Sequence, residues 1–210
     1  MKRLVLLCSF FLLSSAALAQ IPSIGFGVHA NITNGNFPGP EVNGSTALKD
    51  VYGSGFGAGA HLDIHTIVLG LRFSADYLKF SPDNDKYRAG LADWIGGAAS
   101  QFSVDGGSIT YWCISANAKL PILPLPIISP YLTGGIGLGV ISVGDARILQ
   151  NNVEMKGIPG FSSESKTALN VGAGVDFKIG ITLFVEVRYT WVMTDPKTST
   201  LVPVMLGITF

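Results

Sequence analysis

The chain has 210 residues with 14 basic and 14 acidic side chains and no Lys/Arg-rich segment, which excludes a nucleic-acid surface of the usual electrostatic kind. Charged residues amount to only 13% and glycine fills 26 positions, against roughly 25% charged and 7% glycine in ordinary soluble domains. Beyond the leader, no apolar run reaches the ~18–20 residues of a membrane helix, so strands that show lipid one face only are the remaining way for so apolar a chain to meet hydrocarbon.

Residues 1–19 come first. Lys2 and Arg3 precede an apolar stretch over 4–13, and Ala17-Leu18-Ala19 follows as a small-residue cleavage site, the pattern of a secretory signal peptide cut after Ala19. The folded part is therefore read as a single barrel domain over 20–210. Cys8 lacks the small residues preferred before a lipoprotein cysteine and leaves with the signal. Cys113 remains as the one cysteine, so no intrachain disulfide is available.

Alternation with period two then recurs eight times. Strand one, 22–32, sets Phe26, Val28 and Ala30 against Gly25, Gly27, His29 and Asn31. The second, 53–64, sets Phe56, Ala58, Ala60 and Leu62 against Gly57, Gly59, His61 and Asp63. The third, 67–80, places Leu69, Leu71, Phe73, Ala75 and Tyr77 opposite Gly70, Arg72, Ser74 and Asp76, so charge falls on the glycine face. The fourth, 108–119, opposes Trp112, Ile114, Ala116 and Ala118 to Tyr111, Cys113, Ser115, Asn117 and Lys119. The fifth, 129–141, opposes Leu132, Ile136, Leu138 and Val140 to Tyr131, Thr133 and three glycines. The sixth and seventh, 165–178 and 181–193, turn Asn170 and Asp176, then Glu186 and Arg188, away from their apolar columns. The eighth, 201–210, runs to the last residue with Val202, Val204, Leu206, Ile208 and Phe210 on one face.

The intervals discriminate further. Those after strands two, four and six are short, whereas 33–52, 81–107 and 142–164 are long and polar, and 194–200 is modest. Short turns on one rim and long loops on the other fit an all-β, eight-stranded antiparallel up-and-down transmembrane β-barrel. Closure is required because an open edge would leave backbone N–H and C=O groups unpaired in hydrocarbon at several kcal/mol each. Trp112, Tyr189 and Trp191 near the loop ends, with Phe177 and Phe210 near the turn ends, are read as aromatic girdles.

Eight strands enclose room for side chains and no wide pore. Inward charge must be paired, and the expectation is a structural lumenal network in which Arg72 and Arg188 meet Glu186, Asp76 and Asp176. Chemistry finds little support. His61, Asp63 and His65 alternate on one face and could ligate a metal, but no further ligand is apparent, and Pro82-Asp83-Asn84-Asp85 lacks the spacing of a calcium loop. The glycine series are not nucleotide fingerprints, since a strict period of two is one face of a curved strand. His29, Ser74 and Glu186 all point inward without anything to place them together as a catalytic set. No metal, cofactor or catalytic residue is assigned.

The stretches SIGFGVHANI, PYLTGGIGLGV, VGAGVDFKIG with ITLFVEVRYTW, and the ending VPVMLGITF resemble the outer-membrane β-barrel domain family, the OmpA-like and OmpX-like eight-stranded barrels. Phe210, with Ile208, Leu206 and Val204 alternating before it, looks like that family's C-terminal signal for the barrel-assembly machinery. The resemblance implies an outer-membrane protein of a Gram-negative bacterium, embedded in outer-membrane lipid. Its loops 33–52, 81–107 and 142–164 would bind any extracellular ligand or surface protein. It implies no reaction; the competing readings are a small-solute channel and a lipid-modifying enzyme.

Overall fold

The computed structural model describes residues 23–37, 51–66, 69–123, 125–155, 164–194 and 198–210. The expected signal peptide 1–19, and residues 38–50 and 156–163 of the long intervals, lie outside the described residues. Eight long strands close into one barrel: β1 (Ser23–Asn36), β2 (Ser54–His65), β3 (Gly70–Phe80), β5 (Ile109–Pro121), β6 (Ile128–Val143), β9 (Glu164–Lys178), β10 (Thr182–Val192) and β11 (Ser199–Thr209). Each pairs antiparallel with its neighbour in sequence order, and β1 also pairs with β11, with Val28 opposite Ile208. Phe26 and Phe210 exchange backbone hydrogen bonds of 3.2 and 2.8 Å, so pairing runs to the final residue.

The facing follows the alternation. Ile114 and Leu138, register partners on β5 and β6, are 72% and 70% exposed on the outer wall, whereas Arg72, Asn117 and Glu186 are buried inside. Close approach explains several inward glycines. Gly174 lies opposite Tyr131 and Gly207 opposite Phe184, and a Cβ on Gly174 would come within 2.5 Å of the Tyr131 ring. Gly27 and Gly59 stand in the same relation to His61 and His29. Each glycine thus makes the floor on which a ring from the next strand lies.

The long intervals are not plain loops, which corrects the sequence reading. Interval 81–107 contains helix α1 (Asn84–Ile95), a 3-10 turn (Ala99–Gln101) and β4 (Phe102–Gly106), while 142–164 contains β7 (Ala146–Gln150) and β8 (Val153–Glu154). Asp83, weighed above as part of a calcium loop, instead caps α1: its carboxylate accepts from the backbone N–H of Asp85 at 3.1 Å and Lys86 at 3.2 Å. Tyr87 and Leu91, one turn apart, are the buried face of the helix, which ends at Gly96 with φ +89°. β4, β7 and β8 form a separate three-stranded sheet that sets Val104 opposite Ile148, both buried.

Together these elements build a cap. Its apolar core is continuous with the loop-end residues Phe80, Ile109, Ile141, Val192 and Leu201 of the barrel strands. Phe37 stands edge-on to Phe80 with ring centres 4.8 Å apart, and Tyr52 donates a 2.5 Å hydrogen bond to the carbonyl of Gly107. Burial raises the pKa of the Tyr52 phenol, so it stays a donor at any physiological pH. The cap and the loop ends of the barrel strands thus share one hydrophobic core.

Candidate functional site

The lumen holds two polar clusters below the cap. Arg72 on β3 donates from Nε and Nη2 to the two carboxylate oxygens of Asp63 on β2, at 2.6 and 2.7 Å, and from Nη1 to Glu186 Oε2 on β10 at 3.1 Å. Glu186 also accepts from Tyr131 OH at 2.6 Å and from Arg188 Nε. Lys119 on β5 donates to both oxygens of Asp176 on β9, at 3.2 and 3.1 Å, and lies 3.7 Å from Asp63. Aromatic faces complete the packing: the Arg72 guanidinium lies 4.1 Å above the ring of Phe184, and the Lys119 ammonium 4.1 Å above that of Tyr131.

The second cluster sits nearer β1. His29 Nε2 contacts Asp76 Oδ1 at 2.6 Å, and its Nδ1 lies 3.3 Å from Nδ1 of His61. Ser74 donates to the other oxygen of Asp76 at 3.0 Å and meets Ser115 at 2.9 Å, while His61 Nε2 meets Thr209 Oγ1 at 2.8 Å. Between the clusters and the cap is a cavity of about 40 Å³ lined by Asn31, Asp76, Tyr111, Asn170 and Arg188 among others. That is space for about three waters. Among the described residues the side-chain amide oxygens of Asn31 and Asn170 have no hydrogen-bond partner.

Of the residues expected to meet, Arg72 and Arg188 both reach Glu186. Asp76 instead binds His29 and Ser74, and Asp176 binds Lys119. Asp63, Lys119 and Tyr131 are members the sequence reading left out of the network. Asp63 was discoverable: it reflects onto Arg72 across the short β2–β3 turn, and the two are register partners. The aromatic residues expected to form girdles lie on the outer wall as pairs or singly. Trp112 stacks with Tyr77 at 4.8 Å, Tyr189 with Trp191 at 4.7 Å and Phe210 with Phe26 at 5.7 Å, while Phe177 stands exposed near the turns.

The arrangement offers no nucleophile–base pair at Ser74. Asp76 stands between Ser74 and His29, so the hydroxyl donates to a carboxylate and both imidazole nitrogens are engaged elsewhere. A Ser-His-acid relay needs the imidazole in the middle. Glu186 is committed to two arginines and a tyrosine. The His61, Asp63 and His65 triplet is likewise dispersed, with Asp63 held by Arg72 and His65 3.8 Å from it, and among the described residues no three metal-ligating side chains converge.

Removing one partner from a buried ion pair strands the other. Arg72→Met should therefore lower stability by about 3–5 kcal/mol, measured by denaturant unfolding in phospholipid vesicles. Adding Asp63→Asn and Glu186→Gln should return part of the loss. A single-variant effect below about 1 kcal/mol, the size of an exposed pair, would contradict the geometry.

Similarity to known proteins agrees with this architecture. The structure resembles that of Neisserial surface protein A, with 15% identity and a TM-score of 0.54 over 90% of this chain and 98% of that one. It resembles a major outer membrane protein from Thermus thermophilus with 11% identity and a TM-score of 0.50, over 90% and 100%. The outer membrane enzyme PagL is more distant, with 15% identity and a TM-score of 0.43 over 88% and 98%. At these identities the likeness concerns the fold. No curated protein matches the chain in sequence. Residues 5–210 match the family of the outer membrane protein beta-barrel domain, and the chain belongs to that family of outer-membrane barrels.

Proposed function

We propose that the protein is a closed, non-conducting outer-membrane barrel that anchors a folded cap on the cell surface, and that the cap carries recognition of an extracellular partner. The observation that carries this reading is the capped lumen with its paired charges. The hydrophobic core of the cap is continuous with the loop ends of the barrel strands, and the lumen holds the paired charges Arg72–Glu186 and Lys119–Asp176. The cavity of about 40 Å³ between them has room for waters. Folding of α1 and the β4–β7–β8 sheet into a defined surface favours recognition, because a rigid scaffold can carry variable surface elements without loss of stability.

The same reading puts the short turns in the periplasm and the cap outside, with residues 1–19 removed on export. Phe210, held against Phe26 at the seam, serves as the assembly signal. The lipid-modifying alternative is less supported, since the inward histidines, Ser74 and Glu186 face away from lipid and lack a relay.

Two experiments test the reading. Lys86→Cys in α1 should react on intact bacteria with a polyethylene-glycol maleimide too large to cross the outer membrane, and Lys178→Cys at the turn rim should not; the reverse pattern would refute the orientation. The purified protein in planar bilayers should show no discrete conductance steps. Stable steps would favour the small-solute channel.

A further inference from the structure

We infer that the turn rim is itself a lipid-binding surface: Ile122, Leu123, Leu125 and Ile127 of the β5–β6 turn, with Ile179 and Ile181 of the β9–β10 turn, lie within the interfacial zone of a phospholipid leaflet. A water-facing turn is normally built from Gly, Asn, Asp and Ser. Here residues 121–128 read PILPLPII and 178–182 read KIGIT, with Lys178 as the one charge. All six apolar side chains are exposed, Ile127 at 59% and Ile179 at 63%. Exposed apolar area on this scale marks an interaction surface.

The two turns form one patch. Ile128 is the register partner of Phe177, and the Lys178 N–H donates to the carbonyl of Ile127 at 2.7 Å. The patch continues without a polar break into the outer wall, through the exposed register pairs Leu120–Leu132 and Leu183–Phe177. A protein-binding surface is ringed by a polar rim. This one runs into the lipid-facing band.

Depth supports the same occupant. Ile122 lies ten positions along the chain from Trp112, and Ile181 ten positions from Trp191. Ten residues at ~3.3 Å rise and ~40° tilt climb roughly 25 Å, the height of the apolar band. With the tryptophans at one headgroup level, these isoleucines reach the other.

The backbone is prepared for scarce water as well. Pro121, Pro124 and Pro126 have no N–H to satisfy. The N–H of Ile122 donates to the carbonyl of Pro130, that of Leu125 to Leu123 and that of Ile179 to Ile181, each at 2.9 Å. A turn that enters a lipid interface needs its donors paired or absent. The exposed Lys178 at the patch edge can lay its alkyl stem on the apolar surface and bring its ammonium to a lipid phosphate.

The test is a nitroxide attached to Leu125→Cys in the mature chain carrying Cys113→Ser. The protein is reconstituted in vesicles of phosphatidylethanolamine and phosphatidylglycerol and read by collision with oxygen and with a water-soluble nickel chelate. Leu138→Cys on the wall and Lys86→Cys on the cap are the lipid and water references. The expected result is nickel accessibility several-fold below that at Lys86→Cys, with oxygen accessibility near that at Leu138→Cys, and the same pattern at Ile179→Cys in case the first variant folds poorly. Nickel accessibility equal to the cap reference at both positions would overturn the inference. So would a label that is water-exposed in vesicles and becomes shielded only in native envelopes, since that outcome assigns the patch to a periplasmic protein.

Discussion

Backbone pairing governs this molecule. A strand surrounded by lipid has no water to take its N–H and C=O groups, so every strand needs two neighbours, and the chain meets that demand by joining its two ends. β1 lies between β2 and β11, and the last residue still exchanges hydrogen bonds with Phe26. Once the sheet is closed, one face of each strand must be apolar and the other must fit a narrow interior. The alternation of the sequence is the direct consequence.

The interior solves a second problem created by the first. Small barrels curve strongly, and glycines opposite Tyr131, Phe184, His29 and His61 let rings lie flat against the neighbouring strand. The remaining space is taken by charge, which survives there because each of the four inward carboxylates among the described residues has a cation or hydroxyl within hydrogen-bonding distance. Asp63 and Glu186 share Arg72; Asp176 has Lys119; Asp76 has His29 and Ser74. The apolar cap above this plug shields one end of the network from bulk water.

The barrel was legible in the sequence because period-two alternation reports facing residue by residue, and short turns fix which strands are adjacent. Contacts between adjacent strands follow from reflection across a turn, as Asp63 and Arg72 illustrate. Contacts across the lumen do not. Lys119 and Asp176 lie on β5 and β9 with β6 between them, and His29 and Asp76 on β1 and β3 with β2 between them; their meeting depends on barrel radius and side-chain reach, which spacing does not encode. The cap was hidden for a related reason. Its signals, Asp83 ahead of a helix with Tyr87 and Leu91 one turn apart and Gly96 after it, are few and set among polar residues. The helix packs against β4 and the 3-10 turn, whose apolar residues are as sparse in the sequence as its own.

Everything in the closed sheet rests on the seam between the two ends of the chain. Nuclear Overhauser measurements on the protein in detergent micelles address it directly, because Phe26 and Phe210 form a hydrogen-bonded pair and the positions between such pairs bring α-protons into close contact. Strong α-proton cross-peaks between Gly27 and Thr209 and between His29 and Gly207 are the predicted result, given their register. Well-dispersed spectra that show the β10–β11 contacts but none between β1 and β11 would contradict a closed barrel.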